Sequence, residues 1–201
     1  MIVCIDYGAG NLRSIVNGFR KVGAKVELTE DPGRLKTADA IVLPGVGSFG
    51  DAMEKLITFK PAILEAVEAG TPFIGMCLGE QVIFESSDES PAVEGLGLFE
   101  GTCKRFHAKG LKVPHMGWNT ITKVGDCPIL EGTKDGEYFY FVHSYHVVPK
   151  ERGVIAAETG YGTAFPSVVA DRNVFATQFH PEKSGPQGLR ILENFVKQAK
   201  R

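Results

Sequence analysis

The chain has 201 residues, of which 43% are hydrophobic and 23% charged, a composition typical of an ordered globular protein and not of a disordered one. Its 22 basic and 24 acidic residues nearly balance, and its basic clusters are short, which argues against a nucleic-acid-binding protein. No apolar run approaches the roughly 18 to 20 residues that a membrane-spanning helix needs.

Four cysteines, Cys4, Cys77, Cys103 and Cys127, stand far apart in the sequence. They form no CxxC pair, so neither a disulfide framework nor a structural zinc site is expected. A chain of this length buries enough surface to fold without such links. We therefore expect a cytoplasmic protein with one domain over residues 1–201, without a metal or other cofactor.

The first half of the chain alternates short apolar runs with amphipathic segments. Apolar runs predict strands at 2–5, 25–28, 40–43 and 72–76. Apolar residues at helical spacing predict helices over 12–22, after Ser48, and over 61–69, and a further helical segment over 80–85. This alternation predicts a mainly parallel sheet with helices on both faces.

The second half is richer in strands, and its pattern favours an antiparallel or mixed arrangement. The predicted strands lie near 97–106, 117–122, 137–148, 153–158, 167–171 and 173–179. A closing helix places Leu189, Leu192 and Phe195 on one face. It follows Ser184-x-x-Gln187, which has the form of a capping box.

The segment PFIGMCLG predicts a nucleophile elbow, a sharp turn between a strand and a helix that exposes its central side chain. Gly75 and Gly79 are the small residues that such a turn needs on both sides of Cys77. The helix start also stabilises a thiolate. The alternative is a buried structural cysteine between two packing glycines.

A nucleophilic cysteine needs a base, and the base needs a group that orients it. His180 is the best candidate, since in an extended backbone residues i and i+2 point the same way and Glu182 can reach its ring. Pro181 favours that extended conformation at His180. Without the elbow, the sequence His-Pro-Glu would be read as a surface turn.

The other four histidines are weaker candidates for catalysis or metal binding. His107 and His115 have no nearby partner in the sequence. His143 and His146 are three apart in a predicted strand, so we expect them to point to opposite faces. No metal site is expected, because a third ligand is missing.

Two glycine-containing turns follow predicted strands. Gly8-Ala-Gly10 lacks the third glycine of a phosphate-binding loop, because position 13 is Arg, and a tight turn capped by Asn11 is the better interpretation. The second turn, 44–47 (PGVG), precedes a helix and can approach the elbow. An N–H of Gly45, Val46 or Gly47 could then join the Leu78 N–H in stabilising an oxyanion, although a plain turn is equally consistent.

PGVGSFG, GMCLGEQ and FHPEKS, in this order, resemble the motifs of the class I glutamine amidotransferases, and the resemblance covers nearly the whole chain. It implies an α/β fold of that class: a flavodoxin-like three-layer sandwich with a central, mainly parallel sheet, helices on both faces and a smaller antiparallel sheet. It also implies a catalytic triad of Cys77 as nucleophile, His180 as general acid/base and Glu182 as orienter. The implied reaction hydrolyses glutamine to glutamate and ammonia through a cysteine thioester.

Four segments, IVCIDYGAGNLRS, PGVG, PHMGWN and FVHSYH, are similar to the glutaminase subunits of histidine biosynthesis. This similarity implies a heterodimer with a (β/α)8-barrel cyclase, which receives the ammonia. It implies that glutamine is bound by Gly45, Gly79, Gln81, Ser144 and Tyr145. It implies that the cyclase is contacted by Asn11, Met116, Trp118, Asn119, Tyr138 and Lys183.

One position departs from the family pattern, and two other functions remain as alternatives. The family commonly has Met where this chain has Glu80, and we expect that carboxylate to point away from the Cys77 sulfur. One alternative is a glutaminase of pyridoxal phosphate synthesis, which PHMGWN and FVHSYH disfavour. The other is a non-catalytic binding protein of the same fold, which the pairing of His180 with Glu182 disfavours.

Overall fold

The computed structural model describes residues 1–107 and 110–199. The strands are β1 (Ile2–Ile5), β2 (Val26–Thr29), β3 (Ala40–Leu43), β4 (Phe73–Met76), β5 (Phe84–Ser87), β6 (Phe99–Arg105), β7 (His115–Thr120), β8 (Thr122–Lys123), β9 (Tyr138–His143), β10 (Tyr145–Pro149), β11 (Ile155–Gly160), β12 (Ala164–Asp171) and β13 (Val174–Thr177). The α-helices are α1 (Leu12–Lys21), α2 (Phe49–Leu56), α3 (Lys60–Glu68), α4 (Leu78–Val82) and α5 (Gly185–Gln198). Short 3-10 helices include Pro32–Thr37 and Pro181–Lys183.

The central sheet has eight strands in the order β2-β1-β3-β4-β13-β12-β11-β8. The first five run parallel, and β12, β11 and β8 extend the sheet antiparallel. The adjacent strands β3, β4 and β13 carry the segments that the sequence singled out. Because parallel strands end at the same edge, the turns after these three strands meet there.

Helices cover both faces of the sheet, and successive residues of β1, β3, β4 and β13 contribute to opposite cores. In β1, Ile2 and Cys4 pack with residues of α1 and α5, such as Phe19 and Phe195. Val3 and Ile5 of the same strand belong to the core formed with α2, α3 and α4. β1 and β3 are apolar throughout because both of their faces are buried.

Two smaller sheets complete the fold. β10, β6 and β5 form a mixed sheet, and β7 pairs with β9 in an antiparallel ribbon. In the ribbon, Phe139, Phe141 and His143 are buried, whereas Tyr138 is exposed. This alternation gives the ribbon an inner face towards the core and an outer face towards solvent.

The predicted α/β class and the mainly parallel sheet are confirmed, but three local predictions are wrong. The helical segment predicted over 80–85 ends at Val82, and Phe84–Ser87 forms β5. The strand predicted over 137–148 breaks at Ser144 into β9 and β10, which lie in different sheets. The Ser184 hydroxyl does not cap α5 but donates to the His180 carbonyl and accepts from the Tyr140 N–H.

The helix α5 is held by its apolar face instead of by a capping box, since Ile191, Leu192 and Phe195 are fully buried. Among the described residues, no helix is long and apolar enough to cross a membrane.

Gly75 in β4 packs against the backbone of Gly79, so a methyl group added at Gly75 should destabilise the fold. A Cβ at this position would lie 2.5 Å from the Gly79 carbonyl oxygen. We expect Gly75→Ala to lower the free energy of unfolding by about 2 to 3 kcal/mol through overpacking. Urea denaturation measures this change. Gly153→Ala is the control, because nothing lies within 4 Å of its Cβ position, and equal stability of the two variants would contradict the prediction.

Candidate active site

Cys77 lies in the turn between β4 and α4, with φ 56° and ψ −109°. A positive φ is costly for a residue with a side chain and persists only where the surroundings impose it. They do so here, since a Cβ at Gly79 would lie 2.2 Å from the Leu43 carbonyl oxygen, and one at Gly75 would collide with Gly79. The backbone around Cys77 therefore has the strained geometry of a nucleophile elbow.

The loop 44–47 after β3 packs directly against this elbow. A Cβ at Gly45 would lie 2.6 Å from the Gly79 nitrogen, so only glycine allows the two segments to touch. The Tyr7 hydroxyl, from the turn after β1, donates to the Pro44 carbonyl at 3.0 Å and supports the loop. Gly47 has φ +101° and open space around its Cβ position.

His180 follows β13, and its ring is fixed by the carboxylate predicted for it. His180 Nδ1 lies 2.9 Å from Glu182 Oε1, and the two side chains are 4% and 0% exposed. The His180 N–H donates to the Tyr140 carbonyl at 2.9 Å, and the Ser184 hydroxyl donates to the His180 carbonyl at 2.6 Å. Backbone and side chain of His180 are thus held independently.

Burial alone would lower the pKa of the His180 ring, but the Cys77 thiol and the Glu182 carboxylate outweigh it and raise the pKa to about 9. The protonated ring is therefore the favoured form at neutral pH. Its Nε2 atom is buried and makes no hydrogen bond within residues 1–107 and 110–199. Cys77 and His180 also line one cavity, so Nε2 is the ring atom available to the sulfur or to a substrate.

This cavity has a volume of about 320 Å³. Besides Cys77 and His180, its lining consists of Val46, Gly47, Leu78, Gln81, Glu89, Pro114, Val142, His143, Ser144 and Tyr145. Glu89 is the acidic member of this set, and its Oε2 accepts from the Phe49 N–H at 2.7 Å. A carboxylate, an imidazole and a thiol thus surround a space of the size of an amino acid.

Known proteins are similar in sequence to this chain over nearly its whole length. The profile of the family described as glutamine amidotransferase class-I matches residues 3–199. The chain belongs to this family. Proteins named imidazole glycerol phosphate synthase subunit HisH are 53% identical in Methanothermobacter thermautotrophicus and 52% identical in Methanocaldococcus jannaschii, each over 98% of both chains. A crystal structure described as a glutamine amidotransferase matches with a TM-score of 0.78 at 20% identity over 100% of both chains, and shares the fold.

The amidotransferase cavity contains part of the predicted substrate set. Gln81, Ser144 and Tyr145 line it. Gly45 and Gly79 are not among its lining residues, and they form the close contact between the loop and the elbow. For the predicted oxyanion site, Val46, Gly47 and Leu78 line the cavity and Gly45 supports them.

Sequence reasoning missed Glu89 and Gln178. Glu89 lies in the turn after β5, a strand that the sequence pattern did not predict, and this hid its position beside the cavity. Gln178 stands two residues before His180, and its Nε2 donates to the Cys77 sulfur at 3.9 Å. The alternation of side chains that pointed to Glu182 also places Gln178 on the same face as His180. This spacing was the sequence signal that could have identified Gln178.

The residues predicted to face a partner fall into two groups. On the outer face of the β7–β9 ribbon, Met116, Trp118 and Tyr138 are 63%, 56% and 57% exposed. Trp118 packs edge to face on Tyr140, and the Lys183 ammonium lies 5.9 Å from the centre of the Tyr140 ring. These residues form an exposed apolar face next to the cavity.

The other two predicted partner residues have structural contacts of their own. Asn11 is exposed and caps α1, with its side chain accepting from the Ser14 N–H at 3.3 Å. Asn119 is half-buried on the inner side of β7, where its amide nitrogen contacts the His115 ring. Asn119 therefore lies on the opposite side of β7 from Met116 and Trp118.

Glu80, the departure from the family pattern, is completely buried and does not line the cavity. Neither carboxyl oxygen has a hydrogen-bond partner within the described part of the chain. Burial, and then the proximity of Cys77, raise the pKa of Glu80 well above its ordinary value. This shift is towards the neutral acid and so reduces the negative charge of Glu80 near the sulfur.

The prediction that His143 and His146 point to opposite faces is wrong. Both rings contact Phe106 and Phe165. The break between β9 and β10 at Ser144 resets the alternation of side chains, which the sequence pattern did not reveal.

The high pKa of His180 predicts the effect of removing its carboxylate partner. In Glu182→Gln, the amide stabilises the imidazolium less, so we expect the pKa of His180 to fall from about 9 towards the ordinary histidine value of 6.5. NMR titration of the ring protons measures it. Glu193→Gln, on the exposed side of α5, is the control that leaves the pKa in place, and an unchanged pKa in Glu182→Gln would refute the coupling.

Proposed function

We propose that the chain is the glutaminase subunit of an imidazole glycerol phosphate synthase and hydrolyses glutamine to supply ammonia to a cyclase subunit. The observation that carries this proposal is the shared cavity of Cys77, in a strained elbow, and His180, whose Nδ1 is held 2.9 Å from Glu182. The names of relatives about half identical over nearly full length support the synthase. They favour it over pyridoxal phosphate synthesis and over a non-catalytic binding protein.

In the first half of the proposed reaction, the Cys77 thiolate attacks the carboxamide carbon of glutamine. The carbonyl oxygen gains negative charge and is stabilised by the Leu78 N–H, which as the first N–H of α4 has no acceptor within the helix. The C–N bond then breaks, and protonated His180 gives its Nε2 proton to the departing nitrogen. Ammonia leaves, and the glutamyl group remains on Cys77 as a thioester.

In the second half, water attacks the thioester while neutral His180 accepts its proton. The carbon–sulfur bond breaks, glutamate leaves, and His180 returns to its protonated state. Glu182 keeps Nδ1 of the ring protonated throughout, so that Nε2 is always the atom that exchanges protons. No metal or cofactor is needed for these steps.

Glu89 gives the cavity a group for the charged end of the substrate. The ammonium of an amino acid needs an anionic or carbonyl partner, and Glu89 supplies a carboxylate in the lining. Ser144 and Tyr145, which the family resemblance predicts to bind glutamine, form another part of the lining, and we assign them to the same end of the substrate. Glutamine then lies with its carboxamide towards Cys77.

The exposed face of Met116, Trp118 and Tyr138 is the proposed docking site for the cyclase, a (β/α)8 barrel. A cluster of large exposed apolar side chains is typical of protein interfaces, where aromatic residues are enriched. Val142 lies in β9 beside Met116 and also lines the cavity. Ammonia released at Cys77 would therefore start next to the docked partner and reach it without entering bulk water.

Transfer to the cyclase is the experiment that tests this proposal. With the cyclase and its ribulosyl phosphoribosyl formimino substrate, we expect product formation with glutamine as nitrogen donor. Cys77→Ala should lose glutamine-dependent turnover by several orders of magnitude, because the covalent route is gone. The same variant should keep turnover with added ammonium salt, which shows that the complex still forms. Glutamine-dependent turnover by Cys77→Ala, or none by the wild type, would reject the proposal.

The glycine-rich loop 44–47 makes hydrolysis dependent on the partner in this proposal. Val46 is exposed and Gly47 has open space around it, so a peptide N–H of this loop is free to rotate into the oxyanion site. Without the loaded cyclase that N–H would point elsewhere. The chain alone then lacks one of its two oxyanion donors.

Glutamine turnover with and without the partner measures the contribution of this donor. One oxyanion donor is worth about 3 to 4 kcal/mol, so we expect turnover to rise about 10² to 10³-fold when the cyclase and its ligand are present. Cyclase without ligand separates docking from loading. Equal rates in all three conditions would contradict partner-dependent rotation of the loop.

A further inference from the structure

Two buried histidines that the proposed mechanism does not use lie at the cavity, and one of them, His143, is part of its lining. His115 in β7 and His143 at the end of β9 are 3% and 6% exposed and are paired across the ribbon. His115 Nδ1 and His143 Nε2 are 2.9 Å apart. Aromatic rings surround the pair, with Tyr161 stacked 4.1 Å from the His115 ring and Phe106 5.2 Å from the His143 ring. Burying a polar group in such surroundings is costly unless it is hydrogen-bonded.

The direction of these hydrogen bonds follows from their last acceptor. His143 Nδ1 lies 2.7 Å from the Tyr145 carbonyl oxygen, which can only accept, so Nδ1 carries the proton. In a neutral ring, Nε2 of His143 is then an acceptor. The donor to it is the N–H at Nδ1 of His115, and this leaves Nε2 of His115 as an acceptor as well.

Asn119 completes the chain with the same direction. Its Nδ2 lies 3.2 Å from His115 Nε2 and also donates to the Gly160 carbonyl at 3.0 Å. Its Oδ1 accepts from the Thr120 N–H at 2.8 Å, which fixes the orientation of the amide. Asn119, His115 and His143 therefore each donate to the next member, and the series ends at the Tyr145 carbonyl, which accepts.

Both rings are held in the neutral form that this series of hydrogen bonds requires. Burial lowers the pKa of His115 to about 4 and that of His143 to about 3. The rings of His146 in β10 and His180 after β13 add to the effect on His143 when they are charged. A proton on His143 Nε2 would also face the N–H of His115, and two donors cannot bond to each other.

This series of hydrogen bonds ends at the Tyr145 carbonyl, which joins the cavity wall to the elbow. The Tyr145 carbonyl also accepts from Gln81 Nε2 at 3.1 Å, and Gln81 Nε2 contacts Gln178 Oε1 at 3.1 Å. Gln178 in turn donates to the Cys77 sulfur. The two donors to one oxygen, Gln81 and His143, thus link the Ser144–Tyr145 wall to the elbow of Cys77.

We propose that His115 and His143 are positioning residues, which hold the Ser144–Tyr145 wall at the distance from Cys77 that bound glutamine requires. The inference rests on the proposed glutaminase function, because it assigns this wall to the amino acid end of that substrate. It predicts that loss of the histidine donor impairs glutamine binding more than the chemical step, since Cys77, His180 and Glu182 keep their own contacts.

Steady-state kinetics of the complex with the loaded cyclase test the positioning role. In His143→Leu, loss of one hydrogen bond should raise KM for glutamine about tenfold and change kcat by less than about threefold. His143→Asn places an amide donor near the Nδ1 position and should restore most of KM. His146→Asn is the matched control, because the His146 ring lies in the same aromatic cluster but takes no part in this series of hydrogen bonds. Unchanged KM in His143→Leu, or no rescue by Asn, would overturn the inference.

A second measurement on the wild-type chain depends neither on variant folding nor on glutaminase activity. Nitrogen-15 NMR of the histidine rings at pH 7 should show His115 and His143 as neutral rings protonated at Nδ1 alone. Protonation at Nε2 in either ring would overturn the inference. A complex that fails to hydrolyse glutamine, with these tautomers observed, would instead reject the proposed function and with it the assignment of the wall to glutamine.

Discussion

The close contact of three backbone segments at one edge of the sheet is the constraint on which the rest of the site depends. The Leu43 carbonyl, the elbow at Gly75 to Gly79, and Gly45 approach so closely that no Cβ fits between them. This contact imposes the positive φ of Cys77 and places its side chain in the cavity. It also brings the loop after β3 beside the sulfur. Strain at one residue is thus offset by packing of its neighbours.

The base reaches the sulfur because its strand is the neighbour of the nucleophile's strand. β13 pairs with β4, and the Cys77 N–H donates to the last residue of β13, Thr177, at 2.8 Å. His180, three residues later, is then fixed by β9 through the Tyr140 carbonyl. The ribbon that contains β9 also carries the exposed partner-facing residues and the buried His115 and His143. One small ribbon therefore supports the base, the wall of the cavity and the proposed docking face.

The sequence predicted those features that follow from local geometry. Alternation of apolar strands and helices gave the parallel sheet, and the glycines around Cys77 gave the elbow, because a sharp turn permits few residue types. The spacing of His180 and Glu182 gave their contact. Features created by tertiary packing were missed: Glu89 reaches the cavity from the turn after an unpredicted strand, and Ser184 bonds to β9 instead of capping its helix. The break at Ser144, which turns His143 and His146 to one cluster, has no local sequence signal.

Covalent labelling with a glutamine analogue that carries an electrophile in place of the carboxamide tests the central claim most directly, namely that a strained thiol and an oriented imidazole act on one substrate. The chain has four free cysteines, all buried, so mass spectrometry can tell which of them reacts. The account predicts a single label on Cys77, blocked by excess glutamine and strongly slowed in His180→Ala. Labelling of Cys4, Cys103 or Cys127 instead, or a rate independent of His180, would contradict it.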